Sequence, residues 1–159
     1  MRKRVLVVTS MDKPLDELVS RSNHKILAIW AAECAERVLH YFEDKYPDDN
    51  RPRTAIESCR MWARTGIFKM AAVRKASLDS HAAARQADAD ANIVARAAAR
   101  AAGQAAATPH VPRHALGAAT YAASAIRDAA DPADANAAVD MERAWQYQRL
   151  LELGDNSRR

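Results

Sequence analysis

The 159 residues include 37 Ala against 41 larger apolar side chains, so the 49% apolar content describes a thin, closely packed core rather than an oily one. A chain this long buries roughly 68–70% of its unfolded surface, enough for a single domain. Four Gly and six Pro exclude a collagenous or low-complexity chain, and the apolar content excludes wholesale disorder. The net charge of +4 conceals a gradient: residues 1–25 carry six basic side chains against three acidic, and residues 131–159 carry four against six. A dense cationic patch of the kind that binds nucleic acid is missing, and no apolar run is long enough to span a membrane.

The first 22 residues read as an N-terminal arm. Arg2, Lys3 and Arg4 precede a short β-branched run at 5–8, too short for the apolar segment of a secretion signal, which places the chain in the cytoplasm. One turn of helix is expected over 15–19. From Asn23, a good N-cap, the apolar period becomes helical: Leu27, Trp30, Cys34, Val38 and Tyr41 share a face. Glu33, Glu36 and Glu43 fall on the wet side, with Arg37 positioned four residues from Glu33 for an ion pair. The polar turn Asp48-Asp49-Asn50 and Pro52 open a second helix with Ala55, Ile56, Cys59, Trp62 and Ala63 inward, and Gly66 closes it.

A third helix is predicted over 67–87, with Ile67, Met70, Ala71, Arg74, Leu78 and His81 turned inward. A fourth over 89–108, capped by Asp88 or Asp90, presents only Ile93, Ala97, Ala101 and Ala105 to its neighbours, so it belongs at the centre, and Gly103 marks a close helix crossing. Pro109 and Pro112 break the chain before a fifth helix over 113–130. Asp131-Pro132-Ala133-Asp134 starts a sixth, which carries Ala138, Met141, Trp145, Gln148 and Leu151 inward and ends at Gly154 before a solvated tail at 155–159. The expected architecture is all-α: a single domain of about six helices over 23–154, a bundle or a short stack of helical hairpins, with Trp30, Trp62 and Trp145 lining one interior.

Chemistry-bearing patterns are sparse. The serines lie inside helical stretches, the glycines are scattered singly, and no nucleophile elbow or phosphate loop is present, so the chain does not read as an enzyme and carries no cofactor motif. Cys34 and Cys59 sit on apolar faces as reduced small hydrophobes. His110 and His114 have the i,i+4 spacing of a metal-binding pair, interrupted by Pro112, and His81 is the third ligand if the third and fifth helices touch; a helical small-ligand or metal site there is the alternative reading. The Glu33, Glu36, His40, Glu43 group lacks the Glu-x-x-His spacing of carboxylate-bridged metal bundles. Arg96 and Arg100, one turn apart, repel unless they reach solvent, a carboxylate or an anionic partner.

Three stretches carry a family resemblance. They are Trp30-Ala-Ala-Glu-Cys-Ala-Glu-Arg-Val-Leu39 running on to the Pro-Asp-Asp-Asn-Arg-Pro-Arg turn at 47–53, then Ala55-Ile-Glu-Ser-Cys-Arg-Met-Trp-Ala-Arg64, and His81-Ala-Ala-Ala-Arg85 with the segment over 98–122. That last segment contains His110-Val-Pro-Arg-His114-Ala-Leu-Gly-Ala-Ala. Together they cover most of residues 28–127, and the chain resembles bacterial immunity proteins of the immunity-five-like type, which belong to polymorphic toxin systems. The resemblance implies a small cytoplasmic all-α protein that binds and neutralises a cognate toxin; by residue type alone, Arg96, Arg100, His110 and His114 are the partner-binding candidates. A net-basic inhibitor complements a neutral or acidic toxin better than a basic nuclease. Self-association through the unpaired arm is the weaker option.

Overall fold

Where a helix presents alanine, a neighbour's axis can approach to the short end of the usual range of about 8–10 Å, and this rule organises the whole molecule. The computed structural model describes residues 6–159; Met1 to Val5, with the Arg2-Lys3-Arg4 cluster, lie outside them. Seven helices follow in order: α1 (Asp12–Arg21), α2 (His24–Glu43), α3 (Arg51–Thr65), α4 (Met70–Ala89), α5 (Ile93–Ala107), α6 (His114–Ala129) and α7 (Ala135–Asn156). No strand forms among the described residues, and Val7 packs as irregular chain against Ala123 and Val139.

Helix α5 sits at the centre, as its small side chains require. It packs against α2, α3, α4 and α6, while α2 packs on its far side against α7. All of Ala95, Ala97, Ala98, Ala99, Ala101, Ala102, Ala105 and Ala106 are buried. One stripe of α5 escapes enclosure: Ile93, Arg96, Arg100, Gln104 and Ala107 are only half-buried. These five recur at steps of three and four, so they lie in a line along the helix. The stripe floors a groove walled by α4 and α6.

Local sequence rules hold at several ends. Asn23 accepts a hydrogen bond from the Ile26 amide at 2.8 Å, and Gly66 takes the left-handed conformation (φ 68°) that closes α3. Trp30 is fully buried and donates its indole N–H to the Gln146 carbonyl at 2.8 Å. Cys34 and Cys59 are buried free thiols.

Several expectations need correction. The stretch read as an arm contains the seventh helix, α1, whose Leu15, Leu18 and Val19 are buried in the main core, since three apolar residues at helical spacing suffice to dock ten residues. Asn92, not Asp88 or Asp90, caps α5, accepting from the Ala95 amide at 3.1 Å. Helix α4 starts at Met70 and is rotated: Val73, Ala76, Ser80, Ala83, Ala84 and Ala87 face inward, leaving Met70 and Leu78 exposed. Helix α7 begins at Ala135, runs through Gly154, and buries Val139, Glu142, Arg143, Gln146 and Leu150, with Met141 outside. Trp62 and Trp145 are half-buried at the periphery, against His24 and Arg37 respectively, so the three indoles do not share one interior.

The rotation of α7 has an electrostatic reason. Its buried acid and base draw partners from other helices, although Arg143 Nε has none among the described residues. Glu142 receives the Arg37 guanidinium in a fork, Nε to Oε1 at 3.0 Å and Nη2 to Oε2 at 2.9 Å. Arg143 donates to Gln146 (2.9 Å), Thr120 (3.1 Å) and Asp12 (3.4 Å), tying α1 and α6 to α7. The expected Glu33–Arg37 pair is replaced by links to α7, with Arg149 donating to Glu33 at 2.7 Å and 2.9 Å.

Candidate functional site

The groove along α5 gathers most of the side chains that the sequence singled out. From α4 comes His81, from α5 Arg96, Arg100 and Gln104, and from α6 His114 and Tyr121. Two glycines make room for the polar ones. A Cβ at Gly103 would lie 2.8 Å from His81 Cε1 and Nε2, and a Cβ at Gly117 would lie 2.8 Å from Gln104 Oε1. Gly103 therefore marks the seat of an imidazole rather than a bare helix crossing. Ser77 fixes the same spot by donating to the Gly103 carbonyl at 2.9 Å.

Two hydrogen bonds set the protonation of the site. Arg100 Nη1 lies 2.9 Å from His81 Nδ1. A guanidinium only donates, so Nδ1 accepts and the His81 ring is neutral, its proton on Nε2. Burial, then the charges of Arg100 and Arg85, then His114, push its pKa down from 6.5 to about 4. His114 Nδ1 donates to Gln104 Oε1 at 2.8 Å, and burial lowers this imidazole as well. Burial also lowers Arg100, with Arg85 and Arg96 adding repulsion. All of these shifts come first from burial, with neighbouring cationic or imidazole groups adding to it, while Tyr121 and Asp88 act the other way on Arg100.

Ion pairing around the groove is uneven. Arg96 meets Asp88 at 3.5 Å and Arg127 meets Asp128 at 2.9 Å. Arg100 has no carboxylate partner. Among the described residues, every other arginine that is not exposed has one: Arg51, Arg60, Arg96, Arg127, Arg143 and Arg149. Next to Arg100 opens a cavity of about 270 Å³, to which Arg96, Tyr121, Ser124 and Asp128 also contribute.

One rim of the groove is apolar. The outer stripe of α4 that the sequence assigns to the core, Met70, Arg74, Leu78 and His81, instead borders the groove, and Met70 and Leu78 share a shallow depression of about 600 Å³ with Arg74 and Lys75. Phe68, in the turn after α3, stacks on His110 at 6.3 Å between ring centres. Ile67, Leu78 and Val111 are 65%, 57% and 39% exposed. Apolar surface concentrated in this way marks an interaction site more often than scattered single residues do.

The histidines do not converge as a ligand set. His81 and His114 face the groove, but His110 lies against Phe68 at its end, and among the described residues no three His, Cys, Asp or Glu side chains come together to hold a metal ion. Gln104, Tyr121 and the rim residues Phe68 and Val111 were not foreseen as site residues. Gly103 and Gly117 were the available signal: a glycine inside an alanine-rich helix points to something occupying the space of its missing side chain.

A family model described as "Imm-5 like putative immunity protein" matches residues 17–153. No curated protein and no solved structure matches the chain. The matched span runs from α1 into the last turns of α7 and contains every groove residue named above, so the chain belongs to the Imm-5 like immunity protein family.

Proposed function

We propose that the chain is an immunity protein that binds a cognate toxin protein and neutralises it, using the α5 groove and its apolar rim as the binding face. The activity is association rather than catalysis, and it takes place in the cytoplasm. The observation that carries this reading is that Arg100, a half-buried cation without a carboxylate among the described residues, lies on the same groove as the exposed Met70 and Leu78 of α4, with Phe68 and Val111 towards its end. Protein interfaces favour an apolar and arginine-rich centre of this kind. The family match supports the immunity role, and the unit that performs it is the helical domain over 23–154 with α1 docked on it. No helix among the described residues is long and apolar enough to cross a membrane.

The test is co-expression with the toxin domain encoded beside the gene. Wild-type protein restores growth and elutes with the toxin as a 1:1 complex. Leu78→Asp places a charge on the rim without touching the core, so its melting temperature stays within the range of ordinary surface changes, about 0.5 kcal/mol, while protection is lost. Full protection by Leu78→Asp moves the interface away from this rim, and failure of the wild type to protect against any neighbouring toxin overturns the reading.

A further inference from the structure

Among the described residues, Arg100 is the one arginine that is not exposed and yet has no carboxylate partner. Arg100 uses one N–H on His81, a neutral acceptor, and lines the cavity of about 270 Å³ with no carboxylate on its remaining donors among the described residues. Arg96 and Arg127 at the cavity are already matched by Asp88 and Asp128. Arg85 is exposed and solvated. Among the described residues, what is uncompensated at the cavity is thus a single positive charge, and a single negative charge balances it. A dianion would instead oppose Asp128, which also lines the space. The Tyr121 hydroxyl, on the same wall, makes no hydrogen bond among the described residues and is available to donate.

We propose that this cavity takes a carboxylate, an Asp or Glu side chain of the bound protein, seated on the Arg100 guanidinium and the Tyr121 hydroxyl. This rests on the groove being the partner-binding face, and it specifies the chemistry recognised there. Leu6, half exposed, supplies apolar contact at the cavity itself, and the Phe68–Leu78 rim lies further along the groove. The ion pair becomes desolvated as the partner closes over it, the condition under which a charged contact controls dissociation.

The anchor is tested first on the free protein, with acetate as the carboxylate probe and inorganic phosphate and chloride as comparisons. Acetate shifts the Arg100 Nε–H and Tyr121 ring signals saturably in NMR spectra, more tightly than phosphate, and Arg100→Gln abolishes the effect. No effect beyond that of chloride, or shifts that persist in Arg100→Gln, overturns the proposal. Tighter binding of phosphate replaces it with a free phosphorylated ligand. Should Arg100→Gln melt early, Tyr121→Phe gives the second reading, a severalfold loss of acetate affinity in a chain that keeps its packing.

In the toxin complex, Arg100→Gln weakens binding roughly a hundredfold, and Arg100→Lys, which keeps the charge but loses the fork, recovers only part of it. Undiminished affinity of Arg100→Gln for a toxin that the wild type neutralises sinks the anchor and leaves the immunity reading standing. Specific acetate binding in a protein that neutralises no toxin does the reverse.

Discussion

The His81 imidazole fills the space that a side chain at Gly103 would need, 2.8 Å from the position of the missing Cβ. The contact holds a neutral ring against α5 and turns its Nδ1 to Arg100. A double-mutant cycle measures this arrangement. Gly103→Ala in a His81→Ala background gains about 1 kcal/mol from helix propensity. In the wild type the same alanine displaces the ring and breaks its bond to Arg100, so the gain is offset or reversed, and a coupling of about 1 kcal/mol or more appears in denaturant titrations. Additivity of the two changes would show that the ring moves aside freely.

Stability depends on pH through the same ring. The native state holds His81 neutral down to about 4, whereas the unfolded chain takes up a proton near the ordinary 6.5. Between those values the unfolded state binds more protons, so stability is full above pH 6.5 and declines as the pH falls through that window. His114, lowered in the same direction, adds to the decline. Glu43 and Asp49, held below their usual values by Arg53 and Arg51, act with the same sign at lower pH. His81→Gln flattens the upper part of the profile, and an unchanged slope in that variant would place the titration elsewhere.

Arg37 secures α2 to α7. Its guanidinium forks onto Glu142, whose side chain is only 2% exposed, and lies 3.8 Å over the Trp145 ring. Arg37→Ala strands a buried carboxylate and uncovers the indole, which costs about 2–3 kcal/mol in urea unfolding with an unchanged m-value. Lysine at 37 restores a minor share, because an ammonium cannot reproduce the fork. Equal rescue by lysine would reduce the contact to simple charge.

The two thiols are predicted to be silent. Burial raises Cys59 to about 12 and holds Cys34 well above its ordinary value, with Glu142 and Glu33 adding to the effect at Cys34. Neither forms thiolate at neutral pH, so both react with a disulfide reagent only as fast as the protein opens. Labelling of either thiol faster than global unfolding, followed by mass spectrometry, would refute this.

Much of the scaffold was legible in the sequence because its signals are local. The Asn23 cap, Gly66 after α3, the stripe Leu27-Trp30-Cys34-Val38 and the central place of α5 all follow from short-range chemistry or side-chain size. The errors share a different cause. Hydropathy puts Met70 and Leu78 inside and Glu142 and Arg143 outside, and the molecule does the opposite in both helices. On α7 the buried charges draw partners from Arg37, Asp12 and Thr120, residues distant in sequence that no periodicity reveals. On α4 the apolar stripe is spare, since alanines on the other face already complete the packing. The site followed the same division: Arg96, Arg100, His81 and His114 were recognisable by type, whereas Gln104 and Tyr121 matter only through where α6 lies.

The alanine face of α5 leaves no slack on its sealed side, where any bulkier residue would wedge four helices apart. The line through Arg96 and Arg100 borders the groove instead, so a change there does not press helix on helix, whereas Gln104 is held in the space left by Gly117. Substitutions on that line alter what the groove displays while the alanine packing beneath stays fixed.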